Sequence, residues 1–235
     1  MALYFTGRVP QDLEYHLFTD SEEILGISNF HNVLSNLPFL LVSIMGIKFL
    51  LKNNQFEGVF EKVISWTLIL SMGFLCFGSS FYHYNPNNFT LVWDRLPMTL
   101  IFSSLFSLVL WDQLGEKVGR WAFIVFIPLG TFSVFYWWYT ELMGLGDLRP
   151  YIFVQFFPML SIPVILIFSR NRYHLKPLIY VTVFYFLAKI FENFDREFLE
   201  MVNYSGHSLK HIFAAISAYF IFDFIKERVK CHIDK

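Results

Sequence analysis

Val63–His83 reads VISWTLILSMGFLCFGSSFYH. No Asp, Glu, Lys or Arg interrupts these 21 residues, and a helix needs roughly 20 mainly apolar residues to cross the hydrocarbon core of a bilayer. The stretch ends on a histidine, and Ser79, four residues earlier, shares its helical face. It predicts a membrane-crossing helix with polar chemistry gathered at one end. Working outward, six more stretches have the same apolar character: Val33–Leu51, Leu91–Trp111, Trp121–Tyr139, Tyr151–Ser169, Pro177–Phe191 and His207–Phe224. Breaker-rich loops separate them, such as Asn85-Pro86-Asn87-Asn88 and Gly144-Leu145-Gly146-Asp147. The expected fold is an all-α, seven-transmembrane helix bundle. It forms one membrane domain over residues 1–235, with a polar N-terminal segment (1–30) and a basic C-terminal tail (226–235).

Composition agrees. Hydrophobic residues make up 55% of the 235 and charged residues 16%, against about 45–50% and about 25% in soluble domains. Thirty phenylalanines add to this bias. Lipid-facing helices need no polar cover, so such a chain suits a bilayer as its partner. A net charge of −1 gives no sign of a nucleic-acid partner, and no protein-binding segment is evident. Cys76 and Cys231 imply neither a disulfide framework nor a thiolate metal site. The first apolar run follows some thirty polar residues, and no cleavable signal peptide is visible.

Basic residues set an expected orientation. Lys48, Lys52, Lys62, Lys117, Arg120, Arg170, Arg172, Lys176, Lys226, Arg228, Lys230 and Lys235 fall on one side. Arg8, Arg95, Arg149, Lys189, Arg196 and Lys210 fall on the other. The positive-inside rule places the N-terminus outside or lumenal and the C-terminus in the cytoplasm. Which membrane is used is not legible.

On that topology His83 ends the second span, Asp94 begins the third, and His207 and His211 open the seventh, all at one depth. Four-residue spacing puts His207 and His211 on one helical face, where both can reach one ion. Ionisable groups at membrane depth are costly and usually face inward with a partner. Three neutral imidazoles suit Zn²⁺ and leave a fourth position for water, whose pKa zinc lowers to about 7. Asp94 is then the candidate general base and Ser79 a candidate donor to a developing oxyanion. His16, His31, His174 and His232 lack such company and read as solvated or packing residues.

Ser79-Ser80-Phe81-Tyr82-His83, Asp94, and His207-Ser208-Leu209-Lys210-His211 together resemble the alkaline ceramidases of the CREST superfamily. That superfamily also includes adiponectin-receptor-like proteins and proteins of lipid-anchor remodelling. The resemblance covers most of the chain. It implies a seven-helix zinc amidohydrolase that cleaves the N-acyl bond of ceramide to a sphingoid base and a fatty acid. His83, His207 and His211 would be the zinc ligands, Asp94 the acid that activates water, and Ser79 the serine beside the site. Asn32-Val33-Leu34-Ser35-Asn36 resembles the start of the family's first helix. Eukaryotic members also bind calcium through an acidic N-terminal segment and a glutamate at the first helix. Here Asp20, Glu22 and Glu23 resemble that segment, but Asn29 stands where the glutamate would fall. Losing a carboxylate weakens a Ca²⁺ site, so an exposed helix start is the simpler account of these acids.

Two other functions remain open at this point: a zinc hydrolase of another membrane lipid, and a receptor-like or structural protein whose metal only ties helices together. Asn29, Asn32 and Asn36 recur at helical spacing and read as interhelical hydrogen bonders. The charges Glu192, Asp195, Arg196 and Glu197, with Asp147 and Arg149, read as structural ion pairs at the membrane surface. Trp66 and the run Tyr136-Trp137-Trp138-Tyr139 read as an interface belt or packing.

Overall fold

A computed structural model describes residues 7–53, 55–169 and 174–233. They are helical throughout most of their length, and the only β pairing among them is a bridge between Ile24 and Ile27. A 3₁₀ turn, Leu13–His16, precedes α1 (Phe30–Leu34), α2 (Leu37–Lys52), α3 (Val59–Tyr84), α4 (Asn88–Leu114) and α5 (Glu116–Leu142). There follow α6 (Arg149–Phe168), α7 (Leu175–Asn193), the short α8 (Asp195–Val202) and α9 (Gly206–Ile233). α1 and α2 make one apolar rod broken at Ser35-Asn36, where Pro38 opens α2 in the first turn, a place that tolerates its missing N–H.

Six helices are long and apolar enough to cross a membrane: Phe30–Lys52, Val59–Tyr84, Asn88–Leu114, Glu116–Leu142, Arg149–Phe168 and Gly206–Cys231. This is consistent with a multi-pass membrane protein. The expected span at Pro177–Phe191 is a helix of 19 residues, α7. Lys176, Lys189 and Glu192 keep it out of the apolar group.

Residues 226–233, expected as part of a basic tail, instead continue α9 to Ile233. Arg228 explains the continuation. It is buried and donates to Glu61 Oε1 at 2.8 Å, and it pairs with Asp112, which also meets His174 Nδ1 at 2.8 Å. A charge counted as a cytoplasmic marker thus ties α9 to α3 and α4 inside the bundle. Of the other basic markers, Arg170, Arg172 and Lys235 lie outside the described residues, as does the side chain of His232.

α4 is the most enclosed helix and packs against α3, α5 and α6. Small residues allow this. Ser103, Ser104 and Ser107 are fully buried, and Gly130 of α5 sits against Thr99 and Ser103. α9 packs on α7 and α2, whereas α6 and α7, though consecutive, touch only sparsely. The loop before α6 is fastened by Asp147, which accepts from Arg149 Nε at 2.8 Å and Nη2 at 2.7 Å. Those hydrogen bonds hold the Asp147 carboxyl below the usual carboxylate range. Its contribution to stability is therefore present above the unfolded-state value and lost as pH falls through the lower folded one.

A close approach of two helices lies at the level of Ser79 and Asp94. Pro97 inside α4 has no N–H to donate to the Trp93 carbonyl one turn back. Gly78 of α3 lies against that same carbonyl, and a Cβ at Gly78 would run into the oxygen. The missing methyl lets α3 and α4 close up at the level of Ser79 and Asp94. Gly78→Ala is therefore expected to destabilise the bundle by about 1–3 kcal/mol through overpacking. The change is read as a lower midpoint of thermal unfolding in detergent, whereas Gly58→Ala, whose Cβ would meet nothing within 4 Å, serves as the control.

Candidate metal centre

His83 lies in the last turn of α3, and His207 and His211 lie in the first turns of α9. The three rings converge. Ring centroids are 4.9 Å apart for His83–His207, 4.8 Å for His83–His211 and 4.9 Å for His207–His211. One ligand atom from each residue lies within 4.8 Å of the others, and all three residues are buried. Among the described residues no other group of three histidines, cysteines or carboxylates is brought together in this way.

The start of α9 is held in place by caps. Ser205 Oγ accepts from Ser208 N at 3.3 Å, and Asp195 Oδ1 accepts from Ser205 Oγ at 2.7 Å and from His207 N at 2.8 Å. These acceptors satisfy N–H groups that the first turn of a helix cannot pair internally. Gly206 lets this start abut the Phe191 carbonyl and the backbone of Asp195.

The rings fit a metal unequally. His83 Nε2 and His211 Nε2 are 3.2 Å apart, close to the roughly 3.3 Å edge of a tetrahedron with bonds of about 2.0–2.1 Å. His211 Nδ1 lies 2.8 Å from Ser35 Oγ, whose hydroxyl donates to the Asn32 carbonyl at 3.0 Å. With that proton spoken for, Nδ1–H is the donor and Nε2 keeps its lone pair, a tautomer assigned from the hydrogen-bond network. His83 Nδ1 is buried without a hydrogen-bond partner. The ring is packed instead by Phe18 at 4.6 Å and Tyr82 at 5.0 Å between centroids. His207 is the weakest match. Lys210 Nζ lies 3.2 Å from its Nε2 and 3.1 Å from Glu192 Oε1, so a metal at that nitrogen requires the ammonium to give up the imidazole and keep the carboxylate. With that one adjustment, the donor set suits a borderline cation such as zinc.

Ser79 and Asp94 are both buried, Ser79 one helical turn before His83 on α3 and Asp94 on α4 where Gly78 brings the two helices together. Asn29 and Asn32 tie to other helices as expected, whereas Asn36 bonds only within its own rod and its Oδ1 is buried without a partner. Asn29 Nδ2 donates to the His83 carbonyl at 2.8 Å, Asn32 Oδ1 accepts from Ser208 Oγ at 2.8 Å, and Asn36 Nδ2 donates to the Asn32 carbonyl at 2.9 Å. Asp20 departs from an exposed helix start. It is buried, and its carboxylate accepts from Glu22 N at 3.2 Å while its carbonyl accepts from Asn32 Nδ2 at 3.2 Å. Glu22 pairs with His31 at 3.4 Å. His16 is neither solvated nor idle: it bridges Tyr82 at 3.0 Å and Asn88 at 2.9 Å, holding the N-terminal segment on the bundle.

The lysines of the site were invisible as such in the sequence. Lys189 and Lys210, from α7 and α9, share Glu192, at 2.6 and 3.1 Å. They border a polar chamber of about 310 Å³ that also reaches Asp94. It shares Met98, Tyr185, Lys189, Glu192 and Ala214 with an apolar chamber of about 790 Å³ between α4, α6, α7 and α9. The comparisons with known proteins add nothing to this geometry. No protein-family model matches the chain, and no curated protein is significantly similar to it. The site must be read from its own residues.

Proposed function

We propose that this chain is a multi-pass membrane hydrolase that uses zinc, held by His83, His207 and His211, to cleave the N-acyl bond of ceramide or a related lipid. On this reading α7 is the sixth of seven crossings, the N-terminus is outside or lumenal, and the C-terminus is cytoplasmic. One observation carries it: three buried imidazoles, delivered by α3 and α9, converge within reach of a single metal ion, with buried Ser79 on α3 and buried Asp94 on the adjoining α4. The resemblance to alkaline ceramidases gives the substrate class.

Zinc bound there would polarise the scissile carbonyl and acidify a water. Asp94 accepts the proton of that water as its oxygen adds to the carbonyl carbon. It then returns a proton to the nitrogen as the C–N bond breaks, yielding a sphingoid base and a fatty acid. The Ser79 hydroxyl, next to the point where Gly78 meets α4, is assigned first as a positioning partner of Asp94. Lys210 brings positive charge to the wall where negative charge develops on the carbonyl oxygen. The 790 Å³ chamber falls within the usual range for a buried ligand, and its apolar lining suits acyl chains. The sparse contact between α6 and α7 makes that seam the lateral route for a substrate already dissolved in the bilayer.

The test is a lipid panel incubated with purified protein, with products identified by mass spectrometry. Equal amounts of sphingoid base and fatty acid from ceramide are expected. A preference for a glycerolipid ester would move the assignment to another lipid, and no cleavage of any member would refute the hydrolase reading. Ala214, shared by both chambers, offers a graded check. Ala214→Trp is expected to lower turnover of long-chain substrates by about 10²-fold by misplacing the reacting group, while a hexanoyl analogue loses less and metal content is unchanged.

A further inference from the structure

Arg95, one residue beyond Asp94, is 5% exposed and borders the polar chamber. Its guanidinium lies 4.2 Å from the ring centroid of Trp137, 4.7 Å from that of Tyr151 and 5.7 Å from that of Tyr15. One nitrogen, Nη2, donates to Gln11 Oε1 at 2.7 Å. The other, Nη1, is buried with no hydrogen-bond partner. Among the described residues no carboxylate lies within 4.0 Å of the guanidinium. Glu141, which meets the same Gln11 and Trp137, accepts from Gln11 N at 2.6 Å and Trp137 Nε1 at 3.2 Å through Oε1. The neighbouring lysines share Glu192 with each other, and Asp94, the other carboxylate of the chamber, feels the charge of Arg95 without forming an ion pair with it, which leaves Nη1 without a direct acceptor. Aromatic faces offset part of the cost of burying such a charge, but an unpaired buried cation remains expensive.

We propose that Arg95 binds an oxyanion carried by the lipid ligand, a carboxylate or a phosphate, at the wall of the chamber it shares with Asp94 and Lys210. The planar fork of arginine suits either group. The proposal rests on the reading of this cavity as a lipid site and adds to it that the ligand bears negative charge. A carboxylate would come from the fatty acid released by hydrolysis, and a phosphate from a phosphorylated headgroup.

Three probes with one chain length separate these sources: dodecanoate, dodecyl phosphate and dodecanol, titrated calorimetrically into the purified full chain in a neutral detergent. Titrations are run with and without EDTA, because a bound metal would itself attract anions. The wild type is expected to bind at least one oxyanion probe more tightly than dodecanol, with and without EDTA, and Arg95→Gln to weaken that probe by about 10–100-fold while leaving dodecanol unchanged. The tighter of the two anions names the source. Arg95→Lys, which keeps the charge but loses the fork, is expected to fall between. If Arg95→Gln does not fold, this variant and the wild-type preference decide. Equal binding of all three probes by the wild type, or an oxyanion preference that survives Arg95→Gln, overturns the proposal. Loss of the preference in a chain that hydrolyses nothing would sink only the hydrolase reading. Ceramide cleavage with unchanged probe binding in Arg95→Gln would sink only this one.

Discussion

His211→Ala is expected to purify as a folded protein without stoichiometric metal and without hydrolytic activity. Two features make this the most damaging ligand to lose. His211 is the histidine whose tautomer is fixed from behind by Ser35 and Asn32, and its Nε2 makes the 3.2 Å approach to His83. Removing it leaves His83 and a His207 already in contact with Lys210, which is too few donors for a tight site. Ser35→Ala serves as the graded companion. It keeps all three rings but removes the acceptor for His211 Nδ1–H, and such supporting contacts are worth about 10–100-fold in metal affinity. Competition with a chelator of known affinity measures both variants. Unchanged zinc retention in His211→Ala would exclude the three-histidine assignment.

Asp94→Asn is expected to behave differently: metal retained, turnover reduced by about 10²–10⁴-fold, the range lost when a general base is removed. The asparagine fills the same space on α4 beside α3, so the fold and the rings are preserved. It can neither take the proton from water nor pass it to the leaving nitrogen. A purely structural metal predicts that this variant matches the wild type, so zinc content measured beside ceramide turnover separates the two readings. Ser79→Ala should cost less than Asp94→Asn if Ser79 positions rather than reacts.

Much of the bundle was legible because apolar length and breaker-rich loops are local properties of the chain. The seven helical stretches appear where runs such as Val63–His83 place them, although most extend a few residues further at one or both ends. Two features of the fold escaped. Arg228 reads as a charge in a solvated tail because its partners, Glu61 and Asp112, are 167 and 116 residues away in sequence. The crowding of Gly78 on the Trp93 carbonyl depends on a helix pairing that neither segment announces alone.

The site divides in the same way. The convergence of His83 with His207 and His211 follows from counting spans, because helix ends at one depth on one side are near each other. The same count expected Asp94 and Ser79 at that depth. The supporting groups do not. Ser35 sat in a polar helical stripe whose function could be read only as generic hydrogen bonding. Phe18 lies in a segment with no periodic signal, yet packs on His83 and His207 at 4.6 and 5.2 Å between centroids. Lys210 was visible between the two histidines, but its choice between Glu192 and His207 is set by α7, which no local pattern reveals.

The central claim is tested most directly by the metal content of the wild-type chain, purified in detergent without added metal and measured by elemental mass spectrometry. One zinc per chain, removed together with ceramide turnover by a chelator and restored with it, is the predicted result. A chain that hydrolyses ceramide while holding no metal, or one that holds zinc undiminished after His83, His207 and His211 are all replaced, would contradict the account.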